Sequence, residues 1–463
     1  MKPLLALGIA LSGAAVLAAP DQWPAWRGPL GNGVSPTADP PVEWSEEKNV
    51  KWKAAIPGRG TSTPVVWNDQ VFILTAIPVA GNAAAATPPA AAARPPGPGG
   101  PDGAPGPGRR GQGGPGGPGG RGGGGMSEGP GAKQQFVVIS HDRATGAERW
   151  RTVVREQLPH EGHHRDHGFA SASPVTDGEL LIAHFGSFGT YGLDLTGRKL
   201  WEVDLGDMST RNSFGEGSSP ALDGDTVVIL WDHEGEDFIV ALDRKTGKEL
   251  WRQSRDEPTG WSTPLIVTHG GKKQVVVNGT NKVRAYDLAT GALLWEAGGQ
   301  TVNAIPTPVS AGDVVYVTSG FRGNAIQAIR LGGSGNLTGG DRILWSHDRH
   351  TPYVPSPLLY DGLIYLFSGN NAMLSILDAK DGARAVEAER LDGLTGVYAS
   401  PVGAKGRVYL AGRDGGTVVL KRGPKVEVLA SNRLDDGFDA SPAAVGGELF
   451  LRGRQSLYCL AEN

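Results

Sequence analysis

The sequence predicts an all-β fold, an eight-bladed β-propeller of four-stranded antiparallel blades. Three observations predict it: a recurring Ser-Pro or Thr-Pro pair, a turn-and-strand pattern that follows each pair, and chain ends that complete each other. The prolines of the pairs are Pro64, Pro174, Pro220, Pro264, Pro308, Pro357, Pro401 and Pro442. After the first gap the steps are 46, 44, 44, 49, 44 and 41 residues. Each step has room for four strands of ordinary length and their turns.

Within a unit the pair leads into a short apolar run. A turn, a β-branched run, a polar turn and a further strand follow. Then comes a turn such as Asp-x-x-Thr-Gly and a last strand that usually carries Trp. Ser218 to Arg252 and Ser262 to Ala297 are the clearest copies. Proline suits the start of a strand, where its missing N–H does no harm. Gly146, Gly247 and Gly291 supply the positive φ of a tight hairpin. No long segment shows helical periodicity.

The final unit stops at its third strand, "SLYCLAEN". The first is preceded by Asn49 to Ile56, "NVKWKAAI", which reads as a fourth strand with Trp52. The N-terminal strand is therefore expected to complete the last blade and close the ring, which protects sheet edges. Two outer segments, "RAVEAERL" and "VEVLASNRL", assigned to blades seven and eight, lack the Trp.

The chain divides into a signal peptide (1–19), an N-terminal extension (20–48) and the propeller (49–463). The opening "MKPLLALGIALSGAAVLAAP" has a basic start, an apolar run and small residues for cleavage. It predicts export to the periplasm or the extracellular space. No Cys follows that run, so no lipid anchor is expected there, and no later run is long and apolar enough to span a bilayer. Residues 79–133 are mostly Ala, Pro and Gly, with little apolar side chain to bury, and read as a disordered insertion in blade one. Its glycines lack the strand–turn–helix context of a phosphate loop.

A formal net charge of −4 argues against a nucleic-acid binder. Cys459 is the single cysteine, so no intrachain disulfide forms and stability must rest on a large core or a closed architecture. A monomer is expected.

The repeat resembles the pyrroloquinoline quinone (PQQ) repeat, and "WPAWRGPLGNGVS" (Trp23 to Ser35) resembles the start of exported propellers of that kind. Such repeats build quinoprotein alcohol dehydrogenases and a bacterial outer-membrane assembly lipoprotein. The resemblance implies PQQ and Ca²⁺ in the channel funnel if the chain is an oxidoreductase. It also implies a vicinal Cys-Cys disulfide, which one cysteine cannot form. Glu216, Asn278 and Asp232 could supply oxygen ligands to Ca²⁺, though no family motif fixes those positions.

In a propeller the loop before each innermost strand and the loop between strands two and three open on one face. The sequence places its unusual polar residues there. "HEGHHRDHGFASASP" (His160 to Pro174) is the elongated approach loop of blade two. His160, His163, His164 and His167 are candidate metal ligands, with Asp232, His233 and Glu234 from the next blade as possible partners. The alternative is a hydrogen-bonded loop capping the funnel. Arg165, Asp166, Glu216, Asp232, His233, Glu234, Arg255, Trp261, Asn278, Asn303 and Arg322 complete the candidate ligand-binding set. Arg255, Asp256, Glu257 and "WDHEGED" read equally as blade-to-blade ion pairs.

The leading expectation is an exported, non-catalytic scaffold that binds a polar small molecule or an envelope protein at the channel mouth. The alternatives are a PQQ-dependent dehydrogenase and an enzyme acting on sugars in the funnel.

Overall fold

Eight sheets ring a central channel in the computed structural model, which describes residues 21–79 and 126–462. The expected signal peptide lies outside the described residues, as does most of the insertion. Blade one comprises Val65–Trp67, Gln70–Pro78, Gln134–Asp142 and Glu148–Gln157, from channel to rim. Blades two to seven repeat this meander, starting from the inner strands Val175–Thr176, Ala221–Asp223, Leu265–His269, Val309–Ala311, Leu358–Tyr360 and Val402–Ala404. In blade eight, Ala443–Val445, Glu448–Arg452 and Ser456–Ala461 are completed by Val50–Ala55, antiparallel to the last of them. The expected closure by the N-terminal strand is present. No α-helix occurs among the described residues, only two short 3₁₀ turns.

The Ser/Thr of each Ser/Thr-Pro pair links neighbouring blades. The backbone N–H of Thr63 donates to the Ser173 hydroxyl, Ser173 to Ser219, Ser219 to Thr263, and Thr263 to Thr307. Thr307 continues to Ser356, Ser356 to Ser400, and Ser400 to Ser441. These seven bonds measure 2.9–3.1 Å. At the eighth junction the Thr63 hydroxyl is buried without a partner. There Arg452 reaches across from blade eight and donates to the Ser62 carbonyl.

A second linkage joins the outer strands. The indole N–H of Trp52, Trp150, Trp201, Trp251 and Trp345 donates to a carbonyl in the Gly-containing turn of the next blade: Arg143, Leu195, Arg244, Leu288 and Ala379. The turn glycines Gly146, Gly197, Gly247, Gly291 and Gly382 lie flat against those rings. A Cβ on any of them would sit 2.6–2.7 Å from the indole. Glycine is thus required for close approach as well as for positive φ.

Four expectations need correction. "RAVEAERL" and "VEVLASNRL" belong to blades six and seven, not seven and eight. The Trp linkage is replaced there. The Tyr365 hydroxyl of blade six bonds both the N–H and the carbonyl of Gly423 in the turn of blade seven. Blade eight offers no such turn, because the chain ends meet at that edge. Trp44 of the extension covers blade seven instead, stacked on Tyr409 at 6.5 Å, with its backbone N–H donating to Asn432 Oδ1. Second, two sheets have five strands, because Val34–Ser35 pairs parallel to the inner edge of blade seven and Gly335–Asn336 parallel to the outer edge of blade four. Third, the insertion contains a strand, Ser127–Glu128, which pairs with His163–His164. Fourth, the extension is part of the ring rather than an appendage: Trp23 bridges Val66 of blade one and is fully buried.

Ser219→Ala would leave the Ser173 N–H buried with no acceptor. It should cost about 1–3 kcal/mol in urea unfolding. A loss within measurement error would show that the hydroxyl ring contributes little.

Candidate functional site

Inner strands run from the mouth to the rear and second strands return. The approach loops and the loops between strands two and three therefore share the mouth face, as the repeat predicts. The histidine loop of blade two lies across this face. Its Asp166 pairs with Arg413 of blade seven at 3.1 Å and receives the Tyr398 hydroxyl. Arg413 is also bound to Asp439, which holds Arg454 of blade eight at 3.0 Å. Burial disfavours the Asp166 carboxylate, but the Arg413 charge outweighs it and holds its pKa below the usual value. Arg165 is exposed; its N–H donates to the Met126 carbonyl, and its own carbonyl receives Arg59. The loop is therefore a roof tied to blades one, seven and eight.

The histidines are not gathered around one point, so the metal reading of His160, His163, His164 and His167 is corrected. His160 Nε2 meets the Met208 carbonyl at 2.7 Å. His163 Nδ1 meets the His164 carbonyl at 2.8 Å, and its ring packs edge-on against Phe169. His164 Nδ1 accepts the Asp166 N–H and its ring packs on Phe214. His167 Nδ1 accepts the Gly168 N–H at 2.8 Å, and burial pushes its pKa down to about 4. Among the described residues, no group of three or more His, Cys, Asp or Glu could hold a metal ion. The rings are spent on backbone groups and aromatic edges of their own loop and of the approach segment of blade three.

The other candidates divide between structure and surface. Asp232 and Arg255 form a fully buried two-pronged ion pair at 2.6 and 2.9 Å, and Arg255 also donates to the Tyr286 hydroxyl. Burial penalises the Arg255 guanidinium, but the Asp232 charge outweighs this and raises its pKa. Glu257 and Asp256 pair with Arg284, and Asp237 accepts the Glu257 N–H. The acidic and basic run around Arg255 is thus a network joining blades three and four. His233 accepts the Ser209 N–H. Glu234 accepts the Thr259 N–H and hydroxyl. Asn278 is buried, with its amide donating to the Pro306 and Thr318 carbonyls. Trp261 is buried, with its indole on the Gly215 carbonyl. Asn303, at φ +58°, accepts Arg211 at 3.3 Å. Arg322 is exposed above the Phe321 ring, which stacks on Tyr353.

Beneath the roof, His160, Glu216, Asp232 and Trp261 do come together around one cavity with His184, which sequence reasoning passed over. The cavity volume is about 20 Å³, room for roughly one water. Glu216 is held by the Ser187 N–H at 2.7 Å and by its hydroxyl. Burial raises the Glu216 pKa to about 7 and lowers that of His184 to about 4. Arg413, Tyr398 and Asp439 were also missed as partners of the loop. They lie in the mouth segments "LTGVYASP", "GRDGG" and "DGFDASP", whose sequence does not indicate which blade they face.

The quinone and Ca²⁺ implied by the repeat do not fit this site. A small-molecule pocket needs about 300 Å³ or more, and the roofed cavity is far below that. Asn278 does not line it, and Asp232 is committed to Arg255. Cys459 is buried in the third strand of blade eight, away from the mouth loops.

Ring closure, the Ser/Thr-Pro linkage and the roofed mouth define a closed eight-bladed propeller of the PQQ-like class. The chain belongs to the family described as outer membrane protein assembly factor BamB, whose model matches residues 131–236 and 235–463. It is 22% identical over 266 residues to tetrathionate hydrolase of Acidithiobacillus ferrooxidans, covering 52% of this chain and 49% of that one. It is 25% identical over 224 residues to outer membrane protein assembly factor BamB of Shigella dysenteriae, covering 47% and 52%. The chain thus spans about half the length of the curated relatives it matches. Quinohemoprotein alcohol dehydrogenase from Comamonas testosteroni has a similar fold, with a TM-score of 0.59 at 11% identity over 95% of this chain and 80% of that one.

Folded Glu216 keeps its proton up to about pH 7, against an ordinary value of 4.5. Between those values the folded state binds more protons than the unfolded state, so stability falls as pH rises. Glu216→Gln should remove this dependence. In urea unfolding from pH 5 to pH 8 the variant should gain roughly 2–4 kcal/mol relative to the parent. Parallel pH profiles would show that Glu216 titrates normally.

Proposed function

We propose that this chain is an exported, non-catalytic scaffold whose mouth face docks an envelope protein. The observation that carries the reading is the roof. The histidine loop spans the mouth, is pinned by Asp166–Arg413, and leaves space for about one water beneath it. A rigid ring that presents fixed loops suits recognition. Around the roof stand exposed charges of both signs, including Arg165, Arg322, Arg454, Glu128 and Asp256. Such a surface fits a polar protein partner better than an apolar one. The opening apolar run supports export, and the family's namesake is an outer-membrane assembly factor. Among the described residues no helix is long and apolar enough to cross a membrane.

The test is site-directed photo-crosslinking from position 322 and from a rear-face position, Gly270, in envelope preparations of the source cell. Capture of a defined protein from 322, lost on Arg165→Glu and absent from 270, supports the reading. Equal capture from both faces, or none from 322, overturns it. Addition of PQQ with Ca²⁺ should produce neither a shift in visible absorbance nor alcohol-dependent dye reduction; either signal would restore the dehydrogenase reading.

A further inference from the structure

The rear of the channel is shaped differently from the mouth. The segment Pro24 to Gly31 crosses it as a strap. One end is fixed where Trp23 bridges Val66 of blade one, and the Pro24 carbonyl receives the Thr176 N–H of blade two. The other end is fixed where Val34–Ser35 joins blade seven. Between the strap and the inner strands of blades two to four lies a cavity of about 480 Å³. That is within the range of small-molecule sites, roughly 300–1,000 Å³.

Its walls are largely apolar. Pro24, Trp26 and Leu30 form the strap side, and Leu222, Leu265 and Ile266 the blade side. Leu30 is 56% exposed on the strap side. The carboxylates in the lining are already matched: Asp177 is paired with Arg244, and Asp223 with Lys273 at 2.6 Å. Arg27 is different. It lines the same cavity and is only 3% exposed. Among the described residues it makes no salt bridge: its Nη atoms donate to the carbonyls of Pro401, Asn32 and Pro357, and its Nε has no partner. Burial lowers its pKa to about 9, so it still carries its charge at neutral pH. A buried cation without a counter-charge is costly and favours an anion beside it.

We propose that the rear cavity is a binding site for an amphiphile with an apolar body and one carboxylate, the body between the strap and blades two to four and the carboxylate towards Arg27. The cavity is independent of the roofed mouth, so this site and the partner-docking face can be tested separately.

The probes are cis-parinaric acid, a fluorescent fatty acid, and its uncharged methyl ester, titrated into the full chain. The acid should bind saturably, and the ester at least tenfold more weakly. Arg27→Lys keeps the charge and should keep the preference for the acid. Arg27→Met should abolish that preference, so that acid and ester bind alike. Leu265→Glu should weaken the acid at least tenfold. Should these variants loosen the strap, cross-linking of the parent chain with a diazirine-bearing fatty acid gives an independent reading, expected at Pro24 to Gly31 or Leu265 to Ile266. Equal affinity for acid and ester in the parent chain, no saturable binding, or cross-links confined to other surfaces would overturn the proposal.

Discussion

The ring depends on one small interaction made seven times: the backbone N–H before a blade's first proline donates to a Ser or Thr hydroxyl at the same place in the next blade. The inner strands cannot hydrogen-bond side by side as a sheet, because each belongs to a different blade. Their first N–H groups would otherwise be buried without acceptors. A short hydroxyl side chain supplies the acceptor and also fixes the distance between blades. The proline that follows has no N–H to satisfy. The Ser/Thr-Pro pair is therefore a joint.

The rim uses the complementary device. Five outer-strand indoles lie on a glycine of the next blade and bond to a carbonyl in its turn, so polar and apolar contact come from one residue; Trp295 of blade four instead bonds Gln274 within its own blade. Blade eight, which holds both chain ends, offers no such turn, and the outer strand of blade seven that faces it carries no Trp. The extension supplies Trp44 to cover that neighbour. The departure at blade seven thus follows from the position of the cut in the ring, while at blade six Tyr365 takes the place of the Trp.

Closure from both ends gives the channel two unlike faces. At the mouth, ion pairs reach from blade two to blade seven and hold a roof over a space the size of a water. At the rear, a strap anchored by backbone pairing and by Arg27 leaves a larger apolar hollow. The polar residues at the mouth largely satisfy one another. The rear holds the one cation described here that lines a cavity while bonded to carbonyls alone.

The sequence by itself determined the number of blades, the closing strand and the face that carries the histidines, because these follow from a local period of two along strands and a longer period along the chain. It also placed the turn glycines, though it supplied only the φ half of their reason. It could not determine the partners across the ring. Asp166 and Arg413 are 247 residues apart, and no local pattern joins them. Nor could it separate a ligand-facing Arg255 from one locked to Asp232, since both look like a charge in a mouth loop. The histidine spacing suggested a metal for the same reason: spacing fixes which residues are neighbours, while the direction of each ring is set by the carbonyls and aromatic edges that the closed ring brings to it.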